Sequence, residues 1–218
     1  MHTSTTAADS IAGVAIPDTE LIREITAFIR DTEDDLLFDH SRRVFLIGAL
    51  KGRRRGLQPD LELLYAGAMF HDIGLTETYR TSMLRFEVDG ANAALDFLLD
   101  HGVGEADARK VWLSIALHTT PNVPEFLDPE IALVTAGVET DVLGIDRDAL
   151  SPEALDAVTA AHPRPDFKRR ILRAFNDGNK HRPRSTFGNV NADVLEYFDP
   201  SFVRDDFVDI IGNNCWPE

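Results

Sequence analysis

The sequence is poor in cysteine, which limits how the chain can be stabilised. Cys215 is the only cysteine among the 218 residues. One thiol cannot form a disulfide within the chain, and structural disulfides belong to oxidising compartments. The sequence therefore predicts a protein of a reducing compartment, and we expect it in the cytoplasm.

Long apolar runs and an excess of basic charge are also absent. No apolar stretch approaches the roughly 20 residues that span a bilayer, and residues 1–17 lack the basic start and apolar stretch of a secretory signal. Acidic side chains outnumber basic ones by 37 to 22, a net charge of −15. Such a chain has little general affinity for nucleic acid or anionic membranes, so we expect neither partner. We interpret residues 1–17 as a flexible segment before one domain over 18–218.

Helical periodicity is what the sequence has in quantity. Apolar residues recur three and four positions apart in most segments, whereas alternating strand patterns are scarce. Asp39 resembles the N-cap of the second predicted helix, and Gly144 directly follows the last residue of the helix predicted over 129–143. The predicted helices cover residues 18–30, 40–51, 59–72, 89–99, 105–118, 129–143, 152–161, 166–175 and 206–211. The sequence therefore predicts an all-α fold, a single compact multi-helix domain.

Four polar residues fall on the apolar faces of these helices. His40, the pair His71 and Asp72, and Asp141 each lie in register with apolar neighbours. A buried His or Asp is costly without a partner, and one metal ion that collects all four accounts for them together. Imidazole and carboxylate suit zinc, iron or manganese. Taken singly, each residue is more often a hydrogen-bonded core residue than a ligand.

The order of these residues resembles the HD superfamily of metal-dependent hydrolases. His40, His71-Asp72 and Asp141 match its H…HD…D pattern within FDHSRRV, AMFHDIG and GVETDVLG. The resemblance extends over about residues 38–144. It implies a helical HD domain in which these four side chains hold a metal between core helices.

Within that superfamily the chain looks most like the cyanamide hydratase group. The resemblance rests on FDHSRRVF, HDIGLT, RFEVDGANAA, IALHT and NNCWPE. It implies zinc-dependent addition of water to a small nitrile, which gives urea from cyanamide. Relatives that keep a scaffold need not keep its substrate. We expect a small-molecule substrate and one divalent ion, zinc first and iron or manganese as alternatives; a homo-oligomer stays open.

Other residues are candidates for the surroundings of the metal. His118, in SIALHTT, is interpreted as a proton donor or acceptor, with a core histidine bonded to a carbonyl as the alternative. Phe70 and Phe86 are expected to line a small apolar pocket, unless they are core residues. Glu87 is expected in the same substrate pocket, where it could orient ligands or water, and Asp89 is expected to cap a helix.

The leading hypothesis is hydration or hydrolysis of a small polar molecule by metal-bound water. Asp72 would bind the metal and steer the water, and His118 would transfer the proton.

A phosphohydrolase is one alternative, and it should place cationic side chains near the ion. A di-iron oxygenase would need His101 and His118 as further ligands, although His101 resembles a helix cap. A non-catalytic metal-binding module would have a closed site. The basic residues Arg182 and Arg184 could bind phosphate, but they are expected in a solvated loop.

Overall fold

The computed structural model describes residues 10–216 and confirms the all-α prediction. A small antiparallel hairpin, β1 (Ser10–Ile11) and β2 (Val14–Ala15), precedes the helices. The helices in this described part are α1 (Glu20–Thr32), α2 (Asp35–Arg55), α3 (Leu61–Phe70), α4 (Phe86–Asp100), α5 (Glu105–Ala116), α6 (Pro129–Val138), α7 (Pro152–Ala161), α8 (Phe167–Asn179), α9 (Asn191–Phe198) and α10 (Phe207–Gly212).

The prediction that residues 1–17 form a flexible segment is wrong for residues 10–15, which form the hairpin. β1 and β2 pair with Ile11 opposite Val14. Val14 is buried and belongs to the main apolar core, so a hydrophobic contact fixes the hairpin in place. Two-residue strands are too short for a periodic pattern to reveal. Residues 1–9 lie outside the described part of the chain.

Helix α2 is the central helix of the fold. Most of its 21 residues are buried, and it contacts α3, α6, α7 and α8. A Cβ at Gly48 would lie 2.7 Å from the carbonyl oxygen of Leu133 on α6. Glycine is therefore required where the two backbones approach each other. No helix within residues 10–216 combines the length and the apolar composition needed to cross a membrane.

Helix α2 begins one turn earlier than predicted. Its N-cap is Asp34, whose carboxylate accepts a hydrogen bond from the Leu37 N–H at 3.0 Å. The expected cap at Asp39 is therefore wrong. Asp39 lies within the helix, and its carboxylate accepts a hydrogen bond from Nδ1 of His162 at 3.0 Å.

Helix α4 also begins early, at Phe86, so the expected cap at Asp89 is wrong. Asp89 is buried within the helix, where it accepts a hydrogen bond from Ser82 at 2.8 Å and forms an ion pair with Arg182. Only 1% of Arg182 is exposed, which contradicts the predicted solvated loop. Arg184, by contrast, is exposed as expected.

Arg182 ties the C-terminal part of the chain to the turn that follows α3. Its guanidinium donates to the carbonyl oxygens of Gly74 at 2.6 Å, Leu84 at 2.9 Å and Gly178 at 2.9 Å. An arginine can serve this many acceptors because it has five N–H donors in a planar group. The same side chain thus joins α8, the segment before α4 and the end of the HDIG motif.

The last part of the chain contains one helix that the sequence pattern missed. Helix α9 was not predicted, whereas α10 coincides with the helix expected over 206–211. The apolar side chains of Phe207 and Val208 on α10 are exposed, as is Trp216. Within the described residues, α10 therefore presents an apolar surface that the rest of the fold does not cover.

We expect Arg182→Ala to destabilise the fold strongly, because the buried Asp89 carboxylate would lose its cationic partner. Breaking a buried ion pair from one side typically costs about 3–5 kcal/mol. Urea unfolding followed by circular dichroism measures the loss. The exposed Arg184→Ala is the matched control and should change the free energy of unfolding by less than about 0.5 kcal/mol. Equal stability of the two variants would contradict a stabilising role for the buried ion pair between Arg182 and Asp89.

Candidate metal centre

Three buried side chains converge between α2 and the end of α3. His40 Nε2 lies 3.2 Å from His71 Nε2 and 3.6 Å from Asp72 Oδ2. His71 Nε2 lies 3.3 Å from the same oxygen. All three residues are completely buried, and their ligand atoms lie within 4.8 Å of one another, as atoms around one ion would. Three of the four predicted ligands are therefore together.

The end of α3 allows two consecutive residues to face the same point. His71 keeps helical backbone angles, whereas Asp72 has φ −105° and ψ 1° and leaves the helix. A short 3₁₀ turn, Ile73–Leu75, follows. Neighbouring side chains diverge on a regular helix, so the change of backbone at Asp72 is what lets the pair converge.

Three imidazoles turn the same ring nitrogen away from the centre. In each ring, Nδ1 faces an oxygen that accepts a hydrogen bond, so Nδ1 carries the proton. The pairs are His71 with the Ala68 carbonyl at 2.7 Å, His118 with the Ile115 carbonyl at 2.6 Å, and His40 with the Asp141 carboxylate at 2.7 Å. In a neutral ring the Nε2 atom then has a free lone pair, which is the form that binds a metal.

Several polar atoms at this point have no protein partner. Among the described residues, neither carboxylate oxygen of Asp72 nor Nε2 of His118 has a hydrogen bond. His118 Nε2 lies 3.6 Å from Asp72 Oδ1. Buried polar groups without partners are costly, and lone pairs that face a carboxylate repel it. A bound cation relieves both penalties, and imidazole with carboxylate fits a divalent transition metal.

The ionisation of the centre also favours a cation. Burial alone would raise the pKa of Asp72, but positive charge on His71 and a hydrogen bond from His118, each of which needs a proton on Nε2, hold that pKa well below its ordinary value. A bound metal ion would take the place of these protons. Burial alone would lower the pKa of His71, but the Asp72 carboxylate outweighs burial and raises it. Burial dominates at His40 and lowers its pKa. Asp72 is therefore a carboxylate whose negative charge attracts positive charge to the cluster.

Asp141 lies behind His40, on the Nδ1 side of that ring. Its carboxylate accepts hydrogen bonds from Nε and Nη2 of Arg43, each at 2.9 Å, and from Arg164. Burial opposes ionisation, but His40 and Arg43 keep the pKa of Asp141 far below its ordinary value. In this arrangement Asp141 fixes the orientation of His40, as carboxylates often do for metal-binding histidines. A direct bond from Asp141 to the metal stays a prediction.

Glu87 belongs to a hydrogen-bonded network beside His118. Its buried carboxylate accepts from Arg85 at 2.9 Å, from Asn191 at 3.3 Å and from the Thr119 hydroxyl. Burial would raise the pKa of Glu87, but Arg85 outweighs it and lowers the pKa. Glu87 is therefore an ionised residue that anchors the segment after α5, and its predicted contact with substrate stays a prediction.

The two aromatic candidates lie in different surroundings. Phe86 packs edge-on against His118, with ring centroids 5.5 Å apart. Phe70 packs against Phe28 and Phe97, at 5.6 and 5.4 Å. Both candidates are completely buried. Phe86 thus supports the imidazole of His118, Phe70 is part of the core, and a pocket role for either residue stays a prediction.

His101 and His118, which the di-iron alternative needs together, are not brought to one place. His101 donates to the Phe97 carbonyl at 2.6 Å and pairs with Glu24 at 2.9 Å near the protein surface. This is the capping role expected for it. Of the two histidines, only His118 contacts Asp72.

The arginines that support Asp141 were missed from the sequence. Arg43 is 1% exposed, and it also donates to the His162 carbonyl at 3.2 Å. It follows His40 by three positions, which places both on one helix face and is a signal that could have identified it. Arg164 lies in a loop 23 positions after Asp141, and no local pattern points to it.

Glu33 is another buried group that the sequence did not reveal. It follows α1, and its Oε2 accepts a long hydrogen bond from Ser41 at 3.5 Å. Burial raises the pKa of Glu33 well above its ordinary value, and the charge of Asp72 adds to this effect. Glu33 therefore holds its proton more tightly than an exposed glutamate does.

Comparison with protein families identifies the scaffold. Residues 37–160, more than half of the chain, match the HD domain family, and this range includes all four predicted ligands. The chain belongs to the HD domain family. HD domains bind divalent metals and are in general metal-dependent hydrolases, which agrees with the cluster described above. No curated protein matches the chain at a significant level, so the cyanamide hydratase resemblance stays a prediction.

We expect His40→Ala, His71→Ala and Asp72→Ala each to abolish metal retention, because each removes an atom of the cluster. Asp141→Asn should weaken retention by about 10–100-fold, the usual effect of losing a residue that orients a ligand. Elemental analysis of zinc-loaded protein after dialysis measures the bound metal.

His101→Ala is the control, because it removes a surface imidazole and should retain the metal fully. Loss of metal from Asp141→Asn as complete as from Asp72→Ala would make Asp141 a direct ligand. Full metal occupancy in Asp72→Ala would contradict the cluster.

Proposed function

We propose that this HD domain protein adds water to a small uncharged substrate in a metal-dependent reaction, similar to that of the cyanamide hydratases. One observation carries the proposal. His118, whose buried Nε2 has no partner among the described residues, lines a cavity whose lining contains neither Lys nor Arg. A site whose access cavity has no cationic side chain in its lining suits a neutral substrate better than an anion.

The residues that would hold the ion are His40, His71 and Asp72, through two imidazole nitrogens and one carboxylate. A divalent metal there would supply Lewis acidity and make water a better nucleophile at neutral pH. Zinc is the ion we favour, with iron or manganese as alternatives. Asp72 would hold the attacking water through a hydrogen bond to its carboxylate.

His118 would move the proton. The Ile115 carbonyl fixes the proton on Nδ1, so Nε2 is the atom that would act as a base. Nε2 would take a proton from the attacking water and return it to the nitrogen or leaving group of the substrate. The Asp72 carboxylate, 3.6 Å from Nε2, would stabilise the imidazolium between these two transfers.

A phosphohydrolase is the second candidate, and one cavity favours it. A cavity of about 460 Å³ next to Asp141 is lined by Arg147, Arg164 and Lys168, and such side chains suit phosphate oxygens. However, His118 does not line this cavity, whereas it does line the cavity without cations, and Arg164 is already paired with Asp141. We therefore favour the neutral substrate.

A substrate screen with separate readouts tests the proposal. Zinc-, manganese- and iron(II)-loaded protein would be incubated with cyanamide, with small nitriles and with nucleoside phosphates. Urea or carboxamide would be measured by chromatography, and phosphate by colorimetry. Carboxamide or urea formation supports the proposal, whereas phosphate release alone would replace it with phosphohydrolysis. Oxygen-dependent turnover with two irons per chain would favour the oxygenase, and a metal-loaded protein without turnover would favour a binding module.

We expect His118→Ala to lower single-turnover rates by about 10²–10⁴-fold, the range typical of a lost general acid or base. Metal content should be unchanged, because the three clustered ligands stay in place. His101→Ala, which removes a histidine outside the centre, should keep the wild-type rate. A His118→Ala protein that melts early but turns over normally would make His118 a structural residue.

A further inference from the structure

The cavity that reaches His118 has apolar walls. Its volume is about 340 Å³, and it lies between the end of α6 and helices α8 and α9. The apolar side chains of this wall include Val138, Val142, Ile171, Leu172, Phe175 and Val194. We call this space the apolar cavity.

The lining of the apolar cavity includes His118, which adjoins the candidate metal centre. His118 is 2% exposed, and its partnerless Nε2 lies 3.6 Å from Asp72 Oδ1. Asn191 also lines the cavity and donates to Glu87 at 3.3 Å. A molecule in the cavity would therefore meet apolar side chains and the buried imidazole of His118.

Charge in the lining argues against an anionic occupant. The ionisable carboxylates there are those of Glu139 and Asp193. Arg85 and Arg204 line a neighbouring groove, but they are paired with Glu87 and Asp193. An anionic group in the cavity would therefore face carboxylates and no unpaired cation among these lining residues.

The size of the cavity indicates an occupant larger than cyanamide. An apolar cavity of about 150 Å³ is enough to hold benzene, and binding pockets for small organic molecules start at about 300 Å³. The apolar cavity can therefore take an aromatic ring or a short alkyl chain. Cyanamide has no apolar group that would contact these walls.

We propose that the apolar cavity binds the alkyl or aryl substituent of an uncharged substrate, with the reacting polar group at His118. This inference rests on the proposed function and adds the class of substrate. Ile171, Leu172, Phe175 and Val194 lie beyond residues 37–160. Substrate choice would therefore be made by a part of the chain outside the matched HD region.

Binding of 4-fluorobenzamide, followed by ¹⁹F NMR with the zinc-loaded full chain, tests the proposal without turnover. We expect the amide to bind and the carboxylate 4-fluorobenzoate to bind at least about tenfold more weakly, since it adds a charge to an apolar space. No binding of the amide at millimolar concentration, or equal binding of the two probes, would overturn the proposal.

Substitutions in the lining of the apolar cavity test whether the aromatic ring of 4-fluorobenzamide binds there. Leu172→Lys and Val190→Lys change residues that line the cavity and are 39% and 44% exposed, so the fold should tolerate both. Each should raise the Kd of 4-fluorobenzamide by about tenfold, the usual effect of spoiling an apolar contact with a ligand. Leu99→Lys, 43% exposed and not part of the lining, is the matched control and should leave the Kd unchanged.

Circular dichroism establishes that each variant is folded. If a lysine variant unfolds, Leu172→Ser, which adds no charge, replaces it in the binding measurement. An unchanged Kd in the folded cavity variants would overturn the proposal. If the amide binds and the variants weaken it but no nitrile is hydrated, the apolar cavity stands and the proposed function fails. If nitriles are hydrated while the variants bind the amide normally, the function stands and the cavity assignment fails.

Discussion

The burial of the Asp72 carboxylate is the constraint on which the rest of the structure depends. A carboxylate that has left water without gaining hydrogen-bond donors is unstable unless positive charge lies next to it. Here both oxygens face imidazole nitrogens that are not hydrogen-bond donors in the neutral ring. The helices around Asp72 therefore bring a buried carboxylate and imidazole nitrogens together without supplying hydrogen-bond donors to the carboxylate. A bound cation would balance this buried charge.

Two buried arginines hold the walls of this centre from opposite sides. Arg43 binds Asp141 and the His162 carbonyl, which fixes the side of the centre that carries His40. Arg182 binds Asp89 and the Gly74 carbonyl, which fixes the turn that carries the other two ligands. In both cases one end of the interaction lies beyond residue 160. The matched HD region therefore depends on the following segment for its rigidity, even though that segment contributes no atom to the metal cluster.

The elements that could be predicted from the sequence are those with a local cause. Most helices followed from apolar spacing, and His40, His71 and Asp72 were proposed as ligands because they lie on apolar faces and match the H…HD…D pattern of the HD superfamily. The errors have long-range causes. Asp89 has the local pattern of a cap, but its partner Arg182 is 93 positions away. A run of charged residues such as that around Arg182 looks solvated in the sequence, because burial depends on partners that local patterns do not reveal.

Under the proposed function, chemistry and substrate choice would be encoded in different parts of this chain. The metal cluster and His118 lie within residues 37–160, whereas much of the apolar wall comes from α8 and α9. The two parts are coupled, because α9 also supplies Asn191 to the Glu87 network beside His118. Exposed wall residues such as Leu172 can vary without disturbing the buried ion pairs. If the proposals hold, such a chain could change the apolar group that it accepts while its candidate cation site, and with it the type of reaction, stays the same.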